Sequence, residues 1–224
     1  ERAGRYGHEI YLGTDPTKRL FANVDQITEV LFDGFNEQGN ATFTARVLPQ
    51  FDIDLLPNWQ STYGEPRYVL GARRPGEYLF GKLDAKSVGV TLRSTYTFAP
   101  RLTLQAYAQL FLATGHYSHF GAFESTPTGV RPNIHVGDLT AVSSGELPVS
   151  PNPDFQEAAL NVNVVLRWEY LLGSTLYVVY TRSQSPTTSS LDVGAPAPSL
   201  DLGAVGRAPA SDAFLVKVSY WWGG

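Results

Sequence analysis

Hydrophobic residues recur at every second position over much of this chain. In 87–98, Val88, Val90, Leu92, Tyr96 and Phe98 share one parity, against Ser87, Gly89, Thr91, Arg93, Thr95 and Thr97. After a break at Ala99-Pro100-Arg101 the beat resumes in 102–113. There Leu102, Leu104, Ala106, Ala108, Leu110 and Leu112 alternate with Thr103, Gln105, Tyr107, Gln109, Phe111 and Ala113. Side chains on a strand alternate sides, so such a strand has one apolar face and one mostly polar face. The runs exceed the usual globular strand of about 5–6 residues. They reach the roughly 9–11 residues that a tilted strand needs to cross a bilayer. The pattern therefore predicts an all-β fold: a transmembrane antiparallel up-and-down β-barrel, apolar outside and polar inside.

Nine strands are predicted: Tyr6–Gly13, Leu20–Phe32, Ala41–Leu48, Phe51–Tyr63, Tyr78–Phe98, Leu102–Tyr117, Phe155–Tyr170, Thr175–Ser183 and Ala213–Trp222. Short connections (Thr14–Lys18, Pro49-Gln50, Ala99–Arg101, Leu172–Ser174) alternate with long ones at about 33–40, 64–77, 118–154 and 184–212. Outer-membrane barrels place tight turns in the periplasm and long loops outside. Tyr96, Phe98, Trp168, Tyr170, Tyr220 and Trp222 gather near the short-turn ends with apolar parity. Such rings favour the membrane–water boundary, so they are expected to form the periplasmic girdle. Nine is an odd count, whereas bacterial single-chain barrels are even. Residues 1–224 are thus expected to be one barrel segment of about 8–9 strands, the C-terminal part of a larger barrel.

Composition narrows the class. Hydrophobic residues make up 43 % of the chain, with a mean hydropathy of −0.14. No run of 18 apolar residues occurs, which excludes a membrane helix. Cysteine is missing, which excludes disulfides and thiolate chemistry. The net charge is −4 without a basic patch, so nucleic acid is not an expected partner. Methionine is also missing and no signal segment is visible, so the chain reads as a mature or internal stretch.

Three stretches carry a family likeness: 76–120, 155–185 and 213–222. Their most specific pieces are TFAPRLTLQAYAQLF (97–111) and NVVLRWEYLLGSTLYVVYTR (163–182), and GTDPTKRL (13–20) is weaker. Together they resemble bacterial envelope proteins that join an N-terminal module like family 9 carbohydrate-binding domains to a C-terminal outer-membrane barrel of unknown function. The resemblance implies the last portion of a longer barrel and no catalytic residues. The carbohydrate-binding module has no counterpart here, so no sugar-binding expectation transfers.

Little in the sequence points to chemistry. His116 and His119 sit at the end of the sixth strand and face opposite ways unless the backbone bends, and only Glu124 is near as a third metal ligand. His8 and His135 stand apart from them. Ser118 lies between the two histidines, but no Gly-x-Ser-x-Gly elbow occurs. Asp52 and Asp54 share a face about 7 Å apart, and Arg46 or another base on that face is their expected partner. No catalytic residue, metal site or cofactor is therefore assigned.

The polar parity carries Asp25, Glu29, Arg46, Asp52, Asp54, Arg93, Arg167, Glu169 and Lys217, the expected lumen-facing groups. The expected role is a channel in the bacterial outer membrane, or a membrane anchor for an upstream module. A scaffold within an envelope complex is the alternative, and an outer-membrane hydrolase ranks third. Expected partners are outer-membrane lipid, the remaining N-terminal strands of the barrel or another envelope chain, and the barrel-assembly machinery. The last strand, with Phe214, Val216, Val218, Tyr220 and Trp222 in alternation, has the look of an assembly signal.

Overall fold

The computed structural model describes residues 4–31, 33–69, 75–124, 134–143, 153–186 and 196–223. The elements are β1 (Tyr6–Gly13), β2 (Leu20–Leu31), β3 (Gly34–Leu48), β4 (Phe51–Val69), β5 (Glu77–Ala99), β6 (Leu102–Glu124), β7 (Thr140–Ala141), β8 (Phe155–Leu171), β9 (Ser174–Gln184) and β10 (Ala210–Ser219). One short helix, α1 (Leu202–Arg207), and a 3₁₀ turn at Val136–Asp138 complete them. The strands form a single sheet in chain order, with the two-residue β7 set beside β6. Every pairing is antiparallel.

The sheet is open, and the described residues form no closed barrel. β1 and β10 are its two edges and do not pair with each other. The reason lies in direction. Nine long strands that reverse at each step leave the first and last running the same way, so no antiparallel ladder can join them.

Register carries one apolar row after another across the sheet. The row Leu12–Val24–Ala41 leads through Pro57–Val90 to Leu110–Leu160. A lower row runs Phe43–Leu55–Leu92–Ala108–Val162. A third runs Tyr96–Leu104–Leu166–Val178–Val216. Most of this face is not covered: Phe214 is 78 % exposed, Val216 63 % and Leu92 44 %. Among the described residues, only Leu79 and Ser174 have side chains below 2 % exposure. Burial in the interior of the molecule does not hold this sheet together.

The strands extend further at the loop end than the alternation predicts. β3 begins at Gly34 and β4 runs to Val69, while β6 continues to Glu124. The expected long loop at 33–40 is mostly strand: Leu31 pairs with Gly34 across a two-residue connection. Short and long connections therefore do not alternate strictly. The alternation fades here because Glu37 takes an apolar-parity position and Gly39 has no side chain. Trp59 lies opposite Gly39, and a Cβ built on Gly39 would stand 2.2 Å from the indole. The ring covers the gap that the glycine leaves, a known way of filling a sheet over glycine. Phe32, expected to end β2, lies outside the described residues.

At the other end the turns are tight. Pro49-Gln50, Pro100-Arg101 and Leu172-Gly173 each connect two paired residues. Gly173 has φ +76°, which the last turn requires. β10 ends at Ser219, three residues before the expected Trp222. Ser174 starts β9, and its hydroxyl accepts from Trp221 N at 2.9 Å, which draws the chain past the turn instead of extending the ladder.

Candidate functional site

The nine charged residues singled out from the sequence fall on one face of the sheet. Register sets Asp54 opposite both Thr44 and Arg93, and Arg93 opposite Tyr107. Thr44 Oγ1 donates to Asp54 at 2.7 Å. The Arg93 guanidinium lies 5.8 Å from the Tyr107 ring centre, and Tyr107 donates to Gln109 at 3.0 Å. Asp52 stands opposite Arg46 in the ladder. Arg46, the expected partner of the Asp52–Asp54 pair, donates elsewhere, to the carbonyls of Pro16 at 3.1 Å and Lys18 at 3.4 Å. It also lies over Phe21 at 5.2 Å, so it fastens the first turn.

Glu29 accepts from Asn36 at 3.2 Å and from Arg5 at 3.5 Å. Arg167 Nε donates to Tyr177 at 3.3 Å, and Lys217 is the register neighbour of that tyrosine. Glu169 accepts from Gly173 N at 3.0 Å, closing the β8–β9 turn. Asp25 Oδ1 is buried without a hydrogen-bond partner. Amides fill the space between these charges: Asn40 faces Asn58, and Gln38 faces Gln60. Three tasks thus divide the charged set. Arg46 and Glu169 secure turns, Glu29 and Arg167 bond across strands, and Asp54 bonds Thr44 while standing opposite Arg93 in the register.

The apolar face has a border at its loop end that the sequence reading missed. Gln26 donates to Glu37 at 2.9 Å, and both have apolar parity. Lys86 follows on β5 opposite Ser61. On β9 and β10, Arg182 bonds Asp212 at 3.3 Å, and Tyr180 donates to the same carboxylate at 2.7 Å. Read one residue at a time these look like breaks in a pattern. By register they lie on two rows: Lys86 on that of Thr114 and Gln156, and Arg182 with Asp212 on that of Val162, Ala108 and Leu92.

The six aromatics stand at the opposite border. Tyr96 and Phe98 have ring centres 4.6 Å apart, and Phe51 joins Tyr96 at 5.6 Å. Trp168 and Tyr170 are 6.1 Å apart, as are Tyr220 and Trp222.

The loop-end histidines do not converge. The backbone does bend, with φ +49° at His119. His116 Nδ1 lies 2.7 Å from Asp154 Oδ2, while His119 Nδ1 lies 3.0 Å from Ser118 Oγ. Tyr117 N donates to Asp154 Oδ1 at 2.7 Å, which pins the start of β8 beside β6. The carboxylate serves the histidine that does not touch the serine, so no relay of serine, histidine and acid is assembled here. Among the described residues, no three His, Cys, Asp or Glu side chains are placed to share a metal. His135 belongs to a local turn, where its N donates to Asp138 at 2.9 Å.

A last feature, also missed, sits on the apolar face. Val205 of α1 packs against Leu112 and Ala158. Gln184 Nε2 donates to the carbonyls of Val205 at 2.7 Å and Ala208 at 3.1 Å, closing the end of the helix. Asp201 at its start is held below the usual carboxylate range by the Arg207 guanidinium. Nothing in the alternating pattern marks this strap, because the helix has only six residues, too few for a helical period to show.

No curated protein and no solved structure matches the chain. The model of a domain of unknown function, DUF5916, matches residues 1–222, and the chain belongs to that family.

Proposed function

We propose that this chain is a wall segment of a bacterial outer-membrane β-barrel, serving as a channel or as the membrane anchor of an upstream module. The observation that carries the reading is the apolar face, exposed over most of the nine long strands and bordered by aromatics at its turn end. Its height fits a bilayer. From Val88 to Phe98 the strand rises about 33 Å at roughly 3.3 Å per residue. A tilt of about 35–45° reduces this to about 25 Å, the usual height of a barrel's apolar band. In water such a face would be a large aggregation-prone patch. In lipid it needs no cover, and the backbone is satisfied by the ladders.

The charges and amides of the other face would then line or fill the lumen. Outer-membrane lipid and the barrel-assembly machinery are the partners this requires. The scaffold reading shares the same wall and differs only in whether the lumen conducts.

The chain has no cysteine, so single-cysteine variants can be labelled cleanly. Polarity-sensitive labels at Leu104, Val164 and Val216 should be quenched by lipid-borne quenchers, and labels at Gln105 and Asn163 by aqueous ones. The reverse pattern, or a protein that stays in solution without detergent, would refute the placement. Single-channel recording of the intact molecule separates channel from anchor or scaffold, since a filled lumen gives no conductance steps. Ser118→Ala should leave any co-purifying hydrolase activity unchanged.

A further inference from the structure

Part of the charged set on the polar face lies at one level. Phe51, Tyr96, Tyr170 and Tyr220 belong to the aromatic border at the turn end, on or just past β4, β5, β8 and β10. Asp54, Arg93, Arg167 and Lys217 each lie three residues from one of these rings along the same strand, towards the loop end. An odd offset turns them to the other face. Three residues rise about 10 Å at roughly 3.3 Å each, so the four groups share a height above the aromatic border. Asp52 joins them, one residue from Phe51. The signs are sorted: both acids are on β4, and the bases follow on β5, β8 and β10.

Where the two signs adjoin, they do not neutralise each other. Asp54 and Arg93 are directly opposite in the β4–β5 ladder. Thr44 on β3 donates to Asp54 at 2.7 Å, while the Arg93 guanidinium reaches the other way, over the Tyr107 ring on β6. Arg46, across from Asp52, turns back to Pro16 and Lys18. Among the described residues, none of the five belt charges is in an ion pair. Asp52, Arg93 and Lys217 are exposed. A protein-filled lumen needs its charges paired and hydrogen-bonded. Charges held apart and exposed suit a lumen that holds water.

We propose that this belt is the selective step of the lumen and that it favours small zwitterions, solutes carrying an ammonium and a carboxylate together. The proposal rests on the channel reading above and names its solute class. A simple anion is drawn to the basic arc and repelled by the acidic one, and a simple cation the reverse, so for either the two effects largely offset. A zwitterion can turn its carboxylate to Arg93, Arg167 or Lys217 and its ammonium to Asp52 or Asp54, and both ends gain. Asp54 and Arg93 sit on neighbouring strands about 4.8 Å apart, close enough for one small solute to touch both. Low-dielectric walls around a narrow passage strengthen such a field.

The test uses the full-length protein in phospholipid vesicles. Glycine and glycolamide are isomers of nearly equal size, and only glycine is a zwitterion at neutral pH. Uptake of each labelled solute is measured. Glycine should enter several-fold faster through the unaltered protein, and the preference should fade in about 1 M salt, where the Debye length is about 3 Å. Asp54→Asn and Arg93→Gln should each weaken the preference, and the double variant should pass the isomers alike. In a salt gradient the reversal potential should shift towards cation selectivity for Lys217→Gln and towards anion selectivity for Asp52→Asn. Heat-modifiable mobility shows that each variant has folded, and the salt arm needs no variant. Equal uptake of the isomers by a conducting protein would overturn the inference and leave the channel intact. A preference that survives high salt or the double substitution would do the same, as would unmoved reversal potentials. Vesicles that take up neither isomer and show no conductance steps would refute the channel reading itself, and this inference with it.

Discussion

The β5–β6 hairpin and the β2–β3 hairpin are built to one plan and differ in how it is written. β5 and β6 have 23 residues each, and from Val88 to Leu112 Ser94 is the one polar residue at apolar parity. In β2 and β3 the same ladder runs without a register shift from Leu20–Ala45 to Leu31–Gly34. Yet Gln26, Glu37 and Gly39 stand where apolar residues would be. The first hairpin fixes its faces with its own side chains. The second borrows a ring from β4 and spends polar residues where the apolar face ends. Alternation therefore reports where a face is oily, whereas strand structure continues wherever a neighbour offers backbone partners.

The largest expected effect lies in the cleanly written part. Val164→Arg places a charge in mid-face and should cost about 2–4 kcal/mol of folding in lipid, whereas Asn163→Arg should be tolerated. Heat-modifiable mobility on gels after refolding checks this, and equal behaviour of the two variants would reverse the face assignment. Next is the borrowed ring. Gly39→Ala should force the Trp59 indole aside at a cost of about 1–3 kcal/mol. In a Trp59→Ala background the same change should cost much less, and the coupling is read from a double-mutant cycle in denaturant. If Gly39→Ala costs the same in both backgrounds, the ring does not serve that glycine.

A smaller effect should follow at the strap. Gln184→Leu removes the side-chain donor to the Val205 and Ala208 carbonyls, of which Val205 keeps Ala208 N, and should cost about 1 kcal/mol. The readout is faster proteolysis between residues 196 and 209, and unchanged cutting would show that the strap is held otherwise. The smallest effect concerns the first turn. Asp15 Oδ1 accepts from Thr17 Oγ1 at 2.7 Å and from Thr17 N at 2.9 Å. These bonds favour the ionised form and hold the carboxyl below its ordinary value of 3.8. Its contribution is therefore complete above that value and fades as the pH falls through the lower folded one. Protection of the Thr17 amide from exchange, relative to its intrinsic rate at each pH, should fall below about pH 4, and Asp15→Asn should abolish that dependence.

The fold was legible wherever each residue carried its own face. Tyr6–Gly13 is read to the residue, and the starts of Leu20, Phe51, Leu102 and Phe155 coincide with the observed strands. The extensions to Val69 and Glu124 were not legible. They run through Gly, Pro and polar residues whose strand state depends on partners remote in sequence, and the alternation also slips at the bulges near Tyr63–Pro66 and Phe80–Lys82. Where the sheet ends is set by what lies beside β1 and β10, which alternation within a strand does not encode. Of the candidate site, parity placed all nine charges on one face, but it could not foresee that Arg46 turns back to Pro16 and Lys18. Nor could it show which histidine receives Asp154, since β8 brings that carboxylate in from 38 residues away.

The length of β5 has a consequence for how the molecule would meet its surroundings. The apolar band uses the strand from Val88 onward, and Glu77–Ser87 continues beyond it, still paired to β6. On the proposed placement this overhang is about 35 Å of strand at roughly 3.3 Å per residue. It would rise from the outer surface as a stiff fin, braced at its tip by Val69, Leu79, Ala122 and Val142. An antibody or phage arriving from the medium would touch that fin before it touched lipid.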